Sequence, residues 1–205
     1  MTDGAGEAPP LFRHSMNYSL PTTAEIGGRE VPIRTDFRVI LDILECLNDP
    51  ELGEEDKGQC VLEIFYPEPP APGDREEALQ ACFRFIDGAG EPREQRRKQP
   101  RLMDWAYDFE RIVAPVNRVL GYEIRAVPYD AQTNTGGLHW WTFQAAYMEI
   151  GGESTISQVI GIRDKLARGK KLEKHEREWY SRNRELVDLP VRLTEAEDAI
   201  LKDWT

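Results

Sequence analysis

The 205-residue chain has few of the side chains that carry chemistry in most enzymes. It contains only three cysteines and three histidines. Cys46, Cys60 and Cys82 make an odd number at wide spacings, which fits neither a disulfide framework nor a CxxC metal site. This pattern is typical of a reducing cytoplasm, and we expect the three thiols to be small buried apolar groups.

Long apolar runs are also missing. The longest uncharged segment, residues 131–148, contains several amide and hydroxyl side chains, so it does not predict a membrane span. The first ten residues, MTDGAGEAPP, have neither a basic region nor an apolar core, which predicts no secretory signal. These absences favour a cytoplasmic protein without a membrane partner.

Basic residues are fewer than acidic ones. The formal net charge is -11, and residues 1–70 alone carry 14 acidic and 5 basic side chains. Because an acidic surface repels a phosphate backbone, nucleic acid is not an expected partner. The basic run Arg93 to Arg101 follows Pro92 and contains Pro100, and it is interpreted as a solvated linker. The alternative is a regulator that binds nucleic acid through residues 93–98.

The chain does contain strong helical periodicity, with apolar residues three or four positions apart in most segments after residue 35. Before them, AEIGGREVPI (residues 24–33) has two short apolar stretches about a Gly-Gly pair, the pattern of a β-hairpin. We predict a mainly α fold: a single helical domain of seven or eight helices with a small N-terminal β-hairpin, spanning residues 20–190. A flexible tail (1–19) is expected before it, and a capped helix (191–205) after it.

Several residues predict where helices begin, end or bend. Thr35 and Asp36 are placed to cap a helix whose apolar stripe begins at Phe37. Asp74 with Glu77, and Thr194 with Glu197, have the spacing of capping boxes. A proline inside the apolar stripe of residues 102–121 is expected to bend that helix.

No constellation of residues predicts a catalytic site, a metal site or a cofactor. His139 has no second histidine or cysteine at ligand spacing. Asp104 and Asp108 share one helix face and could divide acid and base roles, but Arg111 three positions on indicates a surface ion pair. The run that starts at Asp130 resembles a calcium loop but fails at its sixth and twelfth positions. A small hydrolase using Asp104, Asp108 and His139 is kept as an alternative.

The strongest remaining signal is aromatic. The segment LHWWTFQAAYMEI (residues 138–150) is apolar on nearly every side, which predicts a helix enclosed by its neighbours. Trp140 and Trp141 should point about 100° apart in such a helix, so we expect that they do not face one neighbour. The alternative to full enclosure is that one aromatic face, with Phe143 and Tyr147, binds a partner.

Four segments resemble, in order and spacing, a small tailed-bacteriophage family called bacteriophage gene product fifteen. They are LPTTAEIGGREVPIRTDFRVIL, FYPEPP, MDWAYDFERIVAPVNRVLGYEI and LHWWTFQAAYMEIGGESTISQVIGIR. The resemblance covers residues 20 to about 182. The chain differs from the family pattern before Leu20 and after Leu193.

The genes of this family typically lie among tail genes, close to the tape-measure gene. The resemblance therefore implies a non-enzymatic tail assembly protein of the host cytoplasm, a chaperone that holds the tape-measure protein soluble and that can self-associate. It implies no catalytic residue and no cofactor. The residues expected to bind the partner are Trp140, Trp141, Phe143, Tyr147 and Arg163. The alternative is a structural component of the tail or neck, located in the virion.

Overall fold

Eight α-helices and two short antiparallel hairpins form the part of the chain that the computed structural model describes, residues 19–88, 100–195 and 197. The helices are α1 (Phe37–Asn48), α2 (Glu54–Phe65), α3 (Arg75–Asp87), α4 (Trp105–Leu120), α5 (Trp140–Met148), α6 (Thr155–Ala167), α7 (Lys174–Arg182) and α8 (Arg184–Val187). The strands are β1 (Thr23–Ile26), β2 (Arg29–Pro32), β3 (Tyr129–Asp130) and β4 (Thr135–Gly136). The predicted mainly α fold with an N-terminal hairpin is confirmed. The second hairpin was not predicted.

The N-terminal hairpin turns at Gly27 and Gly28, whose φ angles of 57° and 71° suit glycine. Two strands alone are marginally stable, and this pair is held by α3. The Gly27 N–H donates to Glu77 (3.0 Å), and the Arg29 guanidinium donates to Asp74 (3.0 Å). The capping box predicted for these two acids was wrong: in the described structure their carboxylates bind the hairpin, and neither caps α3.

Most other helix ends follow the predicted signals. Asp36 caps α1 through a hydrogen bond from the Arg38 N–H. Pro115, where a bend was expected, lies inside α4 and does not divide the helix, which runs from Trp105 to Leu120. The bend itself stays a prediction. Thr194 and Glu197 exchange hydrogen bonds as a capping box does.

Parts of three predictions lie outside the described residues: the tail except Ser19, residues 93–99 of the basic run, and the C-terminal helix after Glu197. The division of the chain into a tail, a helical domain and a C-terminal helix stays a prediction.

Two apolar clusters of unequal size stabilise the molecule. The large one joins the first hairpin to α1–α5 and reaches Ile156 at the start of α6. The small one consists of Ile162, Leu172 and Val187, with Trp179 and Tyr180 packed against it. Helices α6 to α8 therefore attach to the rest of the molecule through little apolar surface, which makes polar contacts important at that junction.

Candidate functional site

Helix α5 carries most of the residues predicted to bind a partner, and His139 caps its start. The Nδ1 atom of His139 accepts a hydrogen bond from the Trp141 N–H (3.1 Å). Because Nδ1 is an acceptor, the neutral ring carries its proton on Nε2, which donates to the Pro21 carbonyl (3.0 Å). Burial lowers the pKa of His139, and the hydrogen bond to Pro21 opposes this only in part. This histidine is a neutral helix cap.

Asp36 joins the starts of α1 and α5. It is 2% exposed, and its two carboxylate oxygens accept separately, one from the Arg38 N–H (3.0 Å) and the other from the Leu138 N–H (2.8 Å). Gly137 lies against it with φ +85°, and a Cβ there would lie 2.3 Å from the carboxylate. Only glycine fits at this position, so the contact between the two helix starts depends on it.

The two adjacent tryptophans of α5 both reach the carboxyl end of α3. Trp140 donates its indole N–H to the Ile86 carbonyl (3.0 Å), and Trp141 donates to the Phe85 carbonyl (2.8 Å). The last carbonyls of a helix lack partners within it, and the indoles bond two of them here. The Gly88 N–H also donates to the Phe85 carbonyl (3.2 Å). Our expectation that the pair cannot face one neighbour was wrong, because a long side chain can swing back toward a shared helix end.

The other aromatic residues of α5 lie in the interior or at its edge. Phe143 is 0% exposed and stacks on Phe37, with the ring centroids 4.8 Å apart. Tyr147 is half-buried, 5.2 Å from the ring of Trp105. Trp140 is likewise buried at 3% exposure, whereas Trp141 is half-buried. The predicted role of these four residues in partner binding stays a prediction, and their observed contacts lie within the chain.

Arg163, the fifth predicted residue, forms a buried ion pair with Asp108. Two of its nitrogens contact the two oxygens of that carboxylate at 2.6 Å and 3.1 Å, and the side chains are 5% and 0% exposed. The same guanidinium donates to the carbonyls of Leu102, Leu186 and Val187. All five N–H donors of the arginine are therefore used, and α6 is connected to α4 and to α8.

The ion pair expected between Asp108 and Arg111 is confirmed, with the nearest atoms 3.6 Å apart, but its expected surface location was wrong. Asp108 is 0% exposed, and Arg163 supplies a second, bidentate contact in the interior. A guanidinium that approaches end-on from another helix makes two parallel hydrogen bonds, which a neighbour three positions away on the same helix does not make here.

Asp104 belongs to a second network at the start of α4. It caps that helix by accepting from the Tyr107 N–H (3.0 Å), and it also accepts from Arg101 and from Arg192 (2.9 Å). Arg192 in turn forms a bidentate pair with Glu45 of α1, with both contacts at 2.7 Å. One arginine near the C-terminus thus connects α1 to α4.

Burial and hydrogen bonding shift the pKa of Asp104 in opposite directions. Burial by itself would raise the pKa of this carboxyl, but the hydrogen bonds from Tyr107 and Arg192 and the positive charges of Arg192 and Arg101 lower it overall. The bidentate bond to Glu45 is the main reason that the pKa of Arg192 is raised. Both side chains therefore remain charged at neutral pH.

The three residues of the hydrolase alternative are not brought together. Within the described part of the chain, the side chain of His139 bonds only to Pro21 and Trp141, whereas those of Asp104 and Asp108 bond to arginines and to backbone N–H groups. In residues 19–88, 100–195 and 197, no group of three or more histidine, cysteine or acidic side chains is placed to hold a metal ion. In the same residues, no helix is long and apolar enough to cross a membrane.

An open groove lies between α1 and α4, next to these ion pairs. It has a volume of about 290 Å³ and is lined by Phe37, Arg38, Leu41, Asp42, Glu45, Trp105, Ala106 and Phe109. We call it the α1–α4 groove. Leu41, Trp105 and Phe109 are half-buried in it, and Ala106 is exposed. A second hollow, formed with residues 190–193, continues from it and shares Glu45 and Ala106.

Sequence reasoning missed this groove and the arginine beside it. Asp104 directly precedes the first apolar residue of its helix, which is the usual signal of an N-cap and could have been recognised. Arg38, Asp42 and Glu45 fall on one face of α1 at helical spacing. Nothing local marks Arg192, because its partners are 88 and 147 residues away.

Residues 16–189 match a family model described as "Bacteriophage Gp15 protein". No curated protein and no solved structure matches the chain significantly. The family match covers every helix from α1 to α8.

Proposed function

The chain belongs to the bacteriophage Gp15 protein family, and from this premise we propose that it is a non-enzymatic phage tail assembly protein. Its client is the tape-measure protein, a long helical polypeptide that it keeps soluble while the tail tube polymerises. It acts in the host cytoplasm and leaves the client when assembly is complete.

The α1–α4 groove is the observation that carries this proposal. It is open, and the half-buried Leu41, Trp105 and Phe109 line it. An amphipathic helix binds by laying its apolar face into such a groove between two helices. Aromatic side chains at the centre of an interface supply much of its binding energy. The half-buried aromatic side chains in the groove are Trp105 and Phe109 of α4, whereas Trp140 and Phe143 of α5 are buried.

The charges near the groove also suit a binding protein. The buried acids are each neutralised by an arginine of the same chain, as Asp108 is by Arg163 and Asp104 by Arg192. The net charge of -11 helps a protein with an exposed apolar groove to stay soluble. These features support binding without turnover.

Co-expression with the tape-measure protein of the same phage tests the proposal. We expect the wild-type chain to raise the soluble fraction of the client and to co-purify with it. Ala106→Trp fills the groove and should abolish both effects, whereas Ala114→Trp, the same change at an exposed site on the same helix, should leave them intact. A client that is equally soluble without the chain would contradict the proposal.

Mass spectrometry of purified virions separates a chaperone from a structural tail or neck component. We expect the chain to be absent from mature particles. Detection at the copy number of a tail protein would favour the structural role instead.

A further inference from the structure

One carboxylate in the α1–α4 groove has no partner among the residues that the structure describes. Asp42 is exposed on α1 at the edge of the groove. Among residues 19–88, 100–195 and 197, no side chain or backbone group forms a hydrogen bond or an ion pair with it. Although its side chain is exposed, desolvation at the edge of the groove and the negative charge of Asp36 raise the pKa of this carboxyl. A positive charge placed beside the carboxylate attracts it and offsets the repulsion from Asp36.

The charged neighbours of Asp42 along α1 are already paired. Arg38 contacts Asp36 at 3.3 Å and also donates to the carbonyls of Ile124 and Val127. Glu45, one turn further along, is held by both terminal nitrogens of Arg192. The groove therefore presents one uncompensated negative charge beside an apolar surface.

The segment around Arg192 shows how this surface binds a basic residue. Val191 and Leu193 flank the arginine, and residues 190–193 form one wall of the hollow that continues from the groove. Its guanidinium contacts acids on both helices, Glu45 on α1 and Asp104 on α4. Asp42 lies one turn away from Glu45, beside the apolar residues of the groove, and no basic side chain of the described residues pairs with it.

We propose that the α1–α4 groove binds an amphipathic helix that carries a lysine or arginine beside its apolar face, with the cation paired to Asp42. This inference rests on the proposed function, since it names the part of the client that is bound. The apolar residues of that helix contact Leu41, Trp105 and Phe109, and the cation fixes its position along the groove.

The test measures the binding of peptides that tile the tape-measure protein to the full chain, followed by the fluorescence of the chain's tryptophans. We expect Asp42→Asn to weaken the tightest peptide about fivefold to tenfold, because a charge-assisted hydrogen bond is lost. Asp56→Asn is the matched control, since it removes an exposed acid of α2 and should leave binding unchanged. Replacing the basic residue of the peptide with glutamate should weaken binding to the wild type and restore it to Asp42→Lys.

Each contrary result has a distinct meaning. If peptides bind but Asp42→Asn and the charge swap have no effect, this inference is overturned and the proposed function survives. If no peptide binds and the client does not co-purify, both fail together. If Asp42→Asn lowers the melting temperature of the free chain by several degrees, the carboxylate already pairs within the chain, and the inference is again overturned.

Discussion

Arg163 is the residue whose surroundings are most completely specified. It bonds through every N–H group that it has, and Asp108, its carboxylate partner, is 0% exposed. Taking two charges out of water is costly, and only a bidentate contact with satisfied donors offsets the cost. Removing Asp108 or Arg163 alone therefore lowers the free energy of unfolding by more than the intact pair contributes to it, because an isolated buried charge is left behind.

We expect Asp108→Ala to lower the free energy of unfolding by about 3–5 kcal/mol, the usual loss when a buried ion pair is broken. Urea denaturation measures this change. Asp164→Ala serves as the control, because its pair with Arg168 lies at the surface and such pairs contribute about 1 kcal/mol or less. Equal losses for the two variants would contradict the assigned role of the buried pair.

The stability contributed by Asp104 should depend on pH. Its pKa in the folded protein lies below the ordinary value of 3.8, which we take for the unfolded chain. The contribution is therefore fully present above 3.8 and is lost as the pH falls through the lower folded pKa. Wild type and Asp104→Asn, compared by denaturation across this range, should differ most near neutral pH and converge in acid. A constant difference would contradict the prediction.

At the scale of the elements, donors from other parts of the chain satisfy the carboxyl ends of several helices. Arg34 donates to the carbonyls of Glu63 and Ile64 at the end of α2, as the two tryptophans of α5 do for α3. The last carbonyls of a helix lack partners within it, and a buried carbonyl without one is costly. Such contacts fix how the helices meet.

The junction of α1 with α5 depends on Gly137. Substitution by alanine combines a left-handed φ with a Cβ only 2.3 Å from the carboxylate of Asp36, so we expect Gly137→Ala to cost at least about 2 kcal/mol. Gly28→Ala is the matched control, since it has a similar φ of +71° but no atom within 4 Å. Thermal denaturation compares the two. A control that loses as much stability would show that the steric contact is unimportant.

At the scale of the whole molecule, stability is unevenly distributed. The large apolar cluster includes residues of α1 to α5, whereas the small cluster near α7 and α8 has three buried residues. Helix α7 itself buries no residue completely. Regions with few buried apolar contacts open with a lower free energy than the core does.

Amide hydrogen exchange should therefore proceed in a defined order. We expect the amides of α7 to exchange well before those of α1, α4 and α5, and Asp108→Ala to speed exchange in α6 and α8 as well. Mass spectrometry of peptic fragments resolves these regions. Uniform protection along the chain would show that the small cluster and the ion pair are as stable as the core.

Features that depend on neighbours within about one helical turn could be predicted from the amino-acid sequence. These include the helical periodicity, the glycine turn of the first hairpin, and a cap at Thr35 or Asp36, since propensity and capping are local. The partners of the long polar side chains depend on how distant segments pack: Asp108 bonds to Arg163, 55 positions away, and Glu77 to Gly27, 50 positions away. The α1–α4 groove depends on packing too, because a groove exists only where two helices separated in sequence lie side by side.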